Sequence, residues 1–416
     1  MNDKQAAMAV LLENASQQAK DQALLATASR QATDSIKALI AAGAKATGKH
    51  AKTRLTALHF NMANYEVNTE ITRMLIDADA DVNAKDEEGA TPLCMATGSI
   101  EAVKMLLAAG ADVKAAKESG ETALHCACQN SNSGAPVVQL LLDAGAASVV
   151  NAAGRWGFTP LMNAARRSDD GAAEVVKLLL ARGANVNAKD EDGATPLSMA
   201  TGSIEAVKML LAAGADATVA ESSGDTALHS ACQSSDGAPV VQLLLDAGAA
   251  SVVNAVGRSG LTPLMNAARR NDGAAEVIKL LLAAGADVNV KDEEGATPLC
   301  MATGSIEAVK MLLAAGADVK AAKDSGDTAL HNACQNSDSG APVVQLLLDA
   351  GAASVVNAAG QSGLTPLMNA ARRYDDGAGE LVKLLLARGA DKSTKDADGQ
   401  TAAEMAQDEA VKALLQ

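Results

Sequence analysis

One segment of the chain has the spacing of a phosphate-binding loop. Gly43 to Lys49 fits the pattern Gly-x-x-x-x-Gly-Lys, in which backbone N–H groups surround phosphate oxygens. His50 stands where that loop needs a Ser or Thr hydroxyl for magnesium, and a predicted helix, Ser35 to Ala42, precedes the segment instead of a strand. We therefore interpret the segment as a connecting hairpin, and we expect neither a nucleotide nor any other cofactor.

Three histidines each precede a cysteine by three residues, a spacing that puts both side chains on one helix face. The pairs are His125/Cys128, His229/Cys232 and His331/Cys334. Two ligands do not complete a tetrahedral zinc site, and the pairs lie 104 and 102 residues apart. We expect no metal. Because nothing resembles a catalytic triad, a His-Glu-x-x-His helix or a pair of catalytic carboxylates, we also expect no enzymatic activity.

The remaining cysteines are Cys94 and Cys300, which occupy equivalent positions, and a single Cys126. Residues that recur at such long intervals lie far apart along a stack of repeats, so we expect that they do not pair within one chain. The sequence therefore predicts buried, reduced thiols in a cytoplasmic protein.

Charged residues recur in two patterns, arginine pairs and acidic triplets. The pairs are Arg166/Arg167, Arg269/Arg270 and Arg372/Arg373, and the triplets are Asp86 to Glu88, Asp190 to Asp192 and Asp292 to Glu294. Since Arg makes planar, bidentate contacts with carboxylates, these residues predict recognition of an acidic or mixed-charge protein segment. The alternative is that the arginines neutralise neighbouring acids, Asp169/Asp170 and Asp375/Asp376, and keep the surface solvated.

Aromatic residues make up only 1% of the chain, and three of them break an internal repetition. Trp156 and Phe158, next to Arg155, stand where two later copies have Ser and Leu, at Ser259/Leu261 and Ser362/Leu364. Tyr374 stands in the place of Ser168 and Asn271. Large amphipathic side chains are enriched at interaction hot spots, so we predict that these three contact a partner. Sequence drift without function is the alternative. Phe60 and Tyr65 are interpreted as core residues.

The chain consists of tandem repeats. A Thr that opens a Thr-Pro-Leu or Thr-Ala-Leu element recurs at positions 56, 91, 122, 159, 195, 226, 262, 297, 328, 365 and, in degenerate form, 401. From position 91 onward three unlike units alternate, and this superrepeat occurs three times over 104, 102 and 104 residues. We call the units type 1, type 2 and type 3; they first begin at Thr91, Thr122 and Thr159. Such periodicity is typical of solenoids.

This pattern resembles the ankyrin repeat family over nearly the whole chain from about Asp21. The resemblance rests on Asp-x-x-Gly-x-Thr-Pro-Leu, as in Asp292 to Leu299, and on Val-x-x-Leu-Leu with Gly-Ala-Asp-Val-Asn, as in Lys279 to Asn289. It implies an all-α solenoid of about a dozen helix pairs joined by β-hairpin loops. It also implies that a partner binds the concave side, made of hairpin tips and first helices, and that the His of Thr-x-Leu-His is a structural hydrogen-bonding residue.

Individual residues support helix pairs. Thr91 is a suitable N-cap with Pro92 at the first helical position, and Ser99 is suited to cap the second helix. Gly110 is suited to end that helix in a left-handed conformation, whereas Asp79 takes this place in the unit that begins at Thr56.

The second helix of the type 1 unit has apolar residues at helical spacing: Ile100, Val103, Leu106 and Leu107. We expect all four on its buried face. From the Thr to the capping Gly, this unit spans 19 residues, against 23 and 24 in types 2 and 3. The sequence therefore predicts a shortened helix pair in type 1.

Composition limits the classes of partner. The net charge of −15 argues against general binding to nucleic acid or to an anionic membrane. No run of 18 apolar residues predicts a transmembrane helix, and we find no convincing signal peptide. With 48% hydrophobic residues and few aromatics, Ala, Leu and Val must form the core.

We expect three regions. Residues 1–54 are interpreted as N-terminal capping helices, with an extra amphipathic helix at 3–19 and a divergent pair at 21–43. Residues 55–399 hold ten repeats, with superrepeats at about 86–189, 190–291 and 292–395, and residues 400–416 form a C-terminal capping repeat. We expect a monomeric scaffold or adaptor that binds a protein partner, with self-association left open. The alternative is a structural spacer or a self-associating repeat protein.

Overall fold

The computed structural model describes residues 14–64, 66–131, 134–271, 274–336, 340–375 and 377–416. Residues 3–13 of the predicted extra helix, Tyr65 and Asp376 lie outside these ranges. The chain divides into two compact units, the first ending at Ala215 and the second beginning at Asp216. No helix in the described ranges has the length and apolar character that crossing a membrane requires.

The described residues form α-helices in consecutive pairs. Those of the first unit are α1 Gln17–Ser29, α2 Thr33–Ala41, α3 Ala57–Met62, α4 Thr69–Asp77, α5 Pro92–Met95, α6 Ile100–Ala108, α7 Ala123–Gln129, α8 Gly134–Asp143, α9 Pro160–Ala165, α10 Ala172–Ala181, α11 Pro196–Met199 and α12 Ile204–Ala212. Within this unit, first helices pack on first helices of the next pair, as in α7 on α9, and second helices on second helices, as in α8 on α10.

The second unit repeats this arrangement. Its helices are α13 Ala227–Gln233, α14 Ala238–Asp246, α15 Pro263–Ala268, α16 Ala274–Ala283, α17 Pro298–Met301, α18 Ile306–Ala314, α19 Ala329–Gln335, α20 Gly340–Asp349, α21 Pro366–Ala371, α22 Ala378–Ala387, α23 Ala402–Met405 and α24 Glu409–Leu415. Short 3₁₀ turns lie at Ala96–Gly98, Ala146–Val149, Arg155–Gly157, Ala249–Val252, Arg258–Gly260, Ala302–Gly304, Ala352–Val355 and Gln361–Gly363. The predicted all-α architecture is confirmed.

The type 1 helix pair is shortened as the sequence predicts. Helix α5 has four residues and continues as the 3₁₀ turn Ala96–Gly98, whereas α7 has seven and α9 has six. The Ser99 side chain accepts the N–H of Ala102 at 3.3 Å and so caps α6. Gly110 ends α6 with φ 85°, and Asp79 adopts φ 58° at the corresponding place. Both predicted helix ends are confirmed.

The buried face of α6 differs from the prediction. Val103 and Leu106 are fully buried, and Ala102 completes the face. Ile100 is 36% exposed because it is the first residue of the helix, and Leu107 is half-buried. The core is otherwise made of Leu, Val and Ala, as the composition predicts.

Five of the described loops between pairs are hairpins closed by one antiparallel bridge. Such bridges join Lys49 to Thr56, Ala116 to Thr122, Ala220 to Thr226, Ala322 to Thr328 and Lys395 to Thr401. Several hairpin tips also bond to the next tip. The N–H of Glu191 donates to the Trp156 carbonyl at 3.0 Å, and the N–H of Glu293 donates to the Ser259 carbonyl at 3.3 Å.

Asparagine side chains connect consecutive pairs through two hydrogen bonds each. The Asn151 amide donates to the Gly183 carbonyl at 3.0 Å and accepts the N–H of Asn185 at 2.7 Å. We call this arrangement an amide rung. Equivalent rungs are formed by Asn83, Asn254, Asn289 and Asn357. At the type 1 to type 2 junction the corresponding residues are Lys114 in the first unit and Lys320 in the second, which have no amide to form it.

The N-terminal helix pair begins earlier than the sequence suggests. Helix α1 starts at Gln17, with the Ser16 side chain accepting the N–H of Ala19 at 3.2 Å, so residues 17–19 belong to this pair rather than to an extra helix. At the other end, Thr401 and Glu404 form a reciprocal capping box that starts α23.

Candidate interaction surface

Four side chains meet at one hairpin tip of the first unit: Arg155, Trp156, Phe158 and Arg166. We call them the tip cluster. The guanidinium carbon of Arg155 lies 4.2 Å from the centre of the Trp156 ring, and that of Arg166 lies 5.2 Å from the centre of the Phe158 ring. These distances are those of cation–π contacts. Trp156 is 59% exposed and Phe158 is half-buried, so the cluster is a platform open to solvent.

Trp156 occupies a strained backbone conformation. Its φ of 57° is left-handed, which costs about 1–2 kcal/mol for a residue with a Cβ. Ser259 and Ser362 adopt φ 60° and 56° at the same place, so the turn forms without an indole. The strain therefore belongs to the turn, and the indole of Trp156 adds an exposed ring at this place.

The arginine pairs separate into one outward and one inward side chain. Arg166 is exposed, whereas the Arg167 side chain is only 7% exposed. Arg167 binds both carboxylate oxygens of Asp169, at 2.8 and 2.6 Å, and donates to the Cys128 carbonyl at 3.3 Å. This second contact lies at the carboxyl end of α7, where a cation is favoured by the helix dipole. The Arg167 hydrogen bonds lower the pKa of Asp169.

The later pairs behave alike. Arg373 contacts Asp375 at 2.8 Å and the Asn336 carbonyl at 2.9 Å, with 6% of its side chain exposed. Arg270 is half-buried and donates to the carbonyls of Ser234 and Ser235. Arg269 and Arg372 are exposed. The second arginine therefore neutralises a neighbouring acid in two of the three pairs, Arg167 and Arg373, whereas the first arginine of every pair is exposed.

In each acidic triplet, too, one side chain makes contacts within the fold and the others are exposed. Asp86 is buried, and its carboxylate accepts the N–H groups of Glu88 and Ala90 at 2.9 and 2.8 Å. It thereby forms the hairpin turn, as Asp190 and Asp292 do in later copies. The other two acids of each triplet are exposed. Each tip therefore presents two free carboxylates.

In the second unit an open groove of about 550 Å³ runs between a hairpin tip and the first helices. Its charged lining residues are the basic Arg269 and Lys323 and the acidic Asp292, Glu293 and Glu294. Ser259 and Leu261, the counterparts of Trp156 and Phe158, also line it. The tip cluster therefore occupies a position that borders a groove in the other copy.

Tyr374 lies elsewhere in the second unit. It is 79% exposed and borders a separate depression of about 520 Å³ together with Arg372 and Arg373. Tyr374 and the tip cluster are thus in different compact units.

A family model for ankyrin repeats in sets of three copies matches residues 23–117, 98–190, 168–255, 238–323 and 304–396. The chain belongs to the ankyrin repeat family. Ankyrin repeats are generally protein–protein interaction modules, and the family is typically non-enzymatic.

The ankyrin histidines have the structural role that the resemblance implies. Nδ1 of His125 accepts the N–H of Thr122 at 3.1 Å, while Nε2 lies 3.0 Å from the Ala152 carbonyl and 3.2 Å from that of Phe158. Each His therefore joins its own helix start to the next hairpin. Burial lowers the pKa of His125, as it does for His59, His229 and His331. Among the described residues, no group of three or more His, Cys, Asp and Glu side chains is arranged to hold a metal.

The segment that looks like a phosphate-binding loop is a hairpin between ankyrin pairs. Lys49 forms the bridge to Thr56, and the N–H of His50 donates to the Leu55 carbonyl at 2.8 Å. The loop follows helix α2 and leads into the short helix α3, without the preceding strand of a nucleotide-binding loop.

Cys94, on α5, and Cys126, on the neighbouring α7, are one repeat apart, so the expectation for cysteines that recur once per superrepeat does not apply to them. Their thiols lie within interaction range of each other. Cys126 does not recur in the other superrepeats, and it follows Cys94 by one repeat rather than by one superrepeat. The separation of Cys94 and Cys126 by a single repeat is the feature of the sequence that could have identified the pair. All six cysteines are free thiols, and Cys126 is half-buried where the other five are buried.

Proposed function

We propose that this ankyrin protein is a non-enzymatic scaffold or adaptor that binds an acidic or mixed-charge segment of a protein partner. The contact surface consists of the hairpin tips and the exposed faces of the first helices. The observation that carries the proposal is Trp156, which is exposed, left-handed and stacked on Arg155 at a tip where sister copies have serine.

Charge supports a mixed-charge partner. Arg166 and Arg269 point outward, so their planar forks are available for carboxylates of another chain. The exposed acids of the triplets, such as Glu293 and Glu294 beside Arg269, suit basic residues of the same segment. Alternation of the two signs along a groove favours one register of an extended peptide.

The test is a double substitution, Trp156→Ser with Phe158→Leu, which installs the residues of the sister copies. Since those residues already occupy this fold at Ser259 and Leu261, helicity and melting temperature should stay unchanged. A photo-crosslinker at position 155 in the full chain first identifies the partner in host extract. Binding of that purified partner should then weaken at least tenfold in the double variant. This is the effect expected when one or two hot-spot side chains are removed.

Tyr374→Ser installs the residue found at Ser168. It tests separately whether Tyr374 makes a second contact with the partner. Unchanged affinity of the Trp156/Phe158 variant would refute the proposed surface. Capture of a second copy of this chain by the crosslinker, with dimers in light scattering, would instead favour the self-associating alternative over a monomeric adaptor.

A non-enzymatic role is part of the proposal, supported by the hairpin geometry around Lys49. Purified protein should turn over no ATP above background. Turnover that Lys49→Ala abolishes would overturn this part. The six free thiols support a reducing compartment such as the cytoplasm, which fractionation of host cells would test.

A further inference from the structure

The contact between Cys94 and Cys126 joins two neighbouring repeats. Cys94 is 5% exposed at the third position of α5, and Cys126 is half-buried on α7, the first helix of the next pair. Helices α5 and α7 pack against each other, and the equivalent residues of the third superrepeat, Cys300 and Asn332, line one groove with the Asn332 amide 2.8 Å from the Cys300 carbonyl. The same packing brings the Cys94 and Cys126 thiols within interaction range. Neither side chain takes part in the tip cluster.

The surroundings favour a thiolate on one sulfur. The hydrogen bond from Cys126 lowers the pKa of Cys94, and the same bond raises the pKa of Cys126. The Thr91 hydroxyl donates to the Cys94 sulfur at 3.6 Å. Lys117, ion-paired with Glu121 at 3.1 Å, adds positive charge next to both sulfurs. A thiolate held by a thiol, a hydroxyl and an ammonium is the form that reacts as a nucleophile.

The other superrepeats show that this combination occurs once. Where the first has Cys94, Lys117 and Cys126, the second has Ser198, Glu221 and Ser230 and the third has Cys300, Lys323 and Asn332. In the third, all three residues line the open groove beside α17. At this position of the first superrepeat, Cys126 is half-buried, whereas the other five cysteines are buried.

We propose that Cys94 and Cys126 form a redox-active dithiol that hydrogen peroxide converts into a disulfide between two adjacent ankyrin repeats. The Cys94 thiolate attacks one peroxide oxygen, the O–O bond breaks, and the departing hydroxide takes the proton of the Cys126 thiol to leave as water. The new Cys126 thiolate attacks the Cys94 sulfenic acid. The S–S bond forms, the S–O bond breaks, and the second hydroxide leaves and is protonated by solvent. The two sulfurs supply the two electrons that reduce the peroxide.

The disulfide crosses the type 1 to type 2 junction, where Lys114 replaces the asparagine of an amide rung. In the third superrepeat the amide of Asn332 donates to the Cys300 carbonyl at 2.8 Å across the same junction. Oxidation therefore gives the first superrepeat a covalent connection at a place where it has no rung.

The test treats the full chain with hydrogen peroxide, alkylates the remaining thiols and maps the peptides by mass spectrometry. We expect a peptide pair linked through Cys94 and Cys126, formed at least tenfold faster than any modification of the buried Cys128, Cys232 or Cys334. The oxidised protein should melt at a higher temperature, and dithiothreitol should reverse both changes. Cys94→Ser and Cys126→Ser, which install the residues of the second superrepeat, should abolish the linked peptide and the shift in melting temperature.

A gain-of-function variant tests the proposal without removing Cys94 or Cys126. Asn332→Cys places a second thiol beside Cys300 and Lys323, so peroxide should produce a second linked peptide. Three outcomes would overturn the proposal: peroxide leaves Cys94 and Cys126 unlinked, it carries Cys94 on to the sulfinic acid, or it links Cys126 between two chains.

Discussion

Alanine substitutions of Arg166 and Arg167 test whether one arginine of the pair stabilises the fold while the other is available to a partner. Arg167 is buried, holds Asp169 with two hydrogen bonds and donates to the carboxyl end of α7. Arg166, next to it, is exposed and belongs to the tip cluster through its cation–π contact with Phe158. We expect Arg167→Ala to destabilise the fold and Arg166→Ala to leave stability nearly unchanged.

The magnitude follows from these contacts. A hydrogen bond from a charged donor to a carbonyl contributes about 1.5–3 kcal/mol, and a partly exposed ion pair adds at most about 1 kcal/mol. The Asp169 side chain is 36% exposed, so water solvates it once Arg167 is removed. We therefore expect Arg167→Ala to cost about 2 kcal/mol. An exposed cation–π contact contributes about 0.5–1 kcal/mol, which sets the upper limit for Arg166→Ala.

Hydrogen exchange is the appropriate assay because long repeat arrays do not unfold in one step. A local loss of 2 kcal/mol corresponds to exchange about 30-fold faster for amides of α7 and α9. Arg167→Lys keeps the charge without the planar fork and should lie between wild type and alanine. Partner affinity should respond in the opposite order, with Arg166→Ala the more damaging variant.

Equal exchange rates for Arg166→Ala and Arg167→Ala would refute the assignment of one arginine to each role. A loss of partner affinity in Arg167→Ala alone, without faster exchange, would also contradict it, because the buried guanidinium would then act on the partner rather than on α7.

The remaining predictions concern pH and backbone conformation. Burial lowers the pKa of all four buried histidines, so the unfolded chain binds more protons just below the ordinary pKa of about 6.5, and stability should fall as the pH is lowered from 7.5 to 5.5. A denaturation midpoint that is flat or rises over this range would contradict that. Asp79→Gly should stabilise the unit of α3 and α4 by about 0.5 kcal/mol, since the left-handed strain is relieved and part of the gain is lost to chain entropy. Gly120→Ala should be more damaging than Gly110→Ala, because the added Cβ would lie 2.4 Å from the Ala153 carbonyl oxygen in the first case and meets nothing within 4 Å in the second. Equal thermal shifts in these two variants would show that the clash is relieved without loss of stability.

Much of the fold was predictable because the signals are local and repeated. Thr-Pro-Leu, the capping Ser99 and the terminal Gly110 act within one helix pair, so their roles follow from spacing alone. The exposure of Ile100 did not follow, since a helical pattern identifies a face but not how far a neighbouring helix covers its first turn.

The candidate site was predictable in position but not in orientation. The sequence singled out Arg166 and Arg167 as a pair, yet it held no information on which guanidinium reaches back to the Cys128 carbonyl, 39 residues away. Cys126 shows the same difficulty. Its contact with Cys94 depends on how helices of successive repeats align, which is a property of the stack and not of either repeat.

The amide rungs have a consequence for the behaviour of the protein under tension. Each rung makes two hydrogen bonds to the backbone of the next repeat. Where a rung is present, both hydrogen bonds must break before a pulling force can separate the two repeats. The junctions with Lys114 and Lys320 have no such amide and should separate at a lower force than the junctions of the same compact unit that have a rung. In an optical trap, the type 1 to type 2 junction of each unit should therefore extend before the junctions that have a rung. A rung installed by Lys114→Asn should raise the rupture force there.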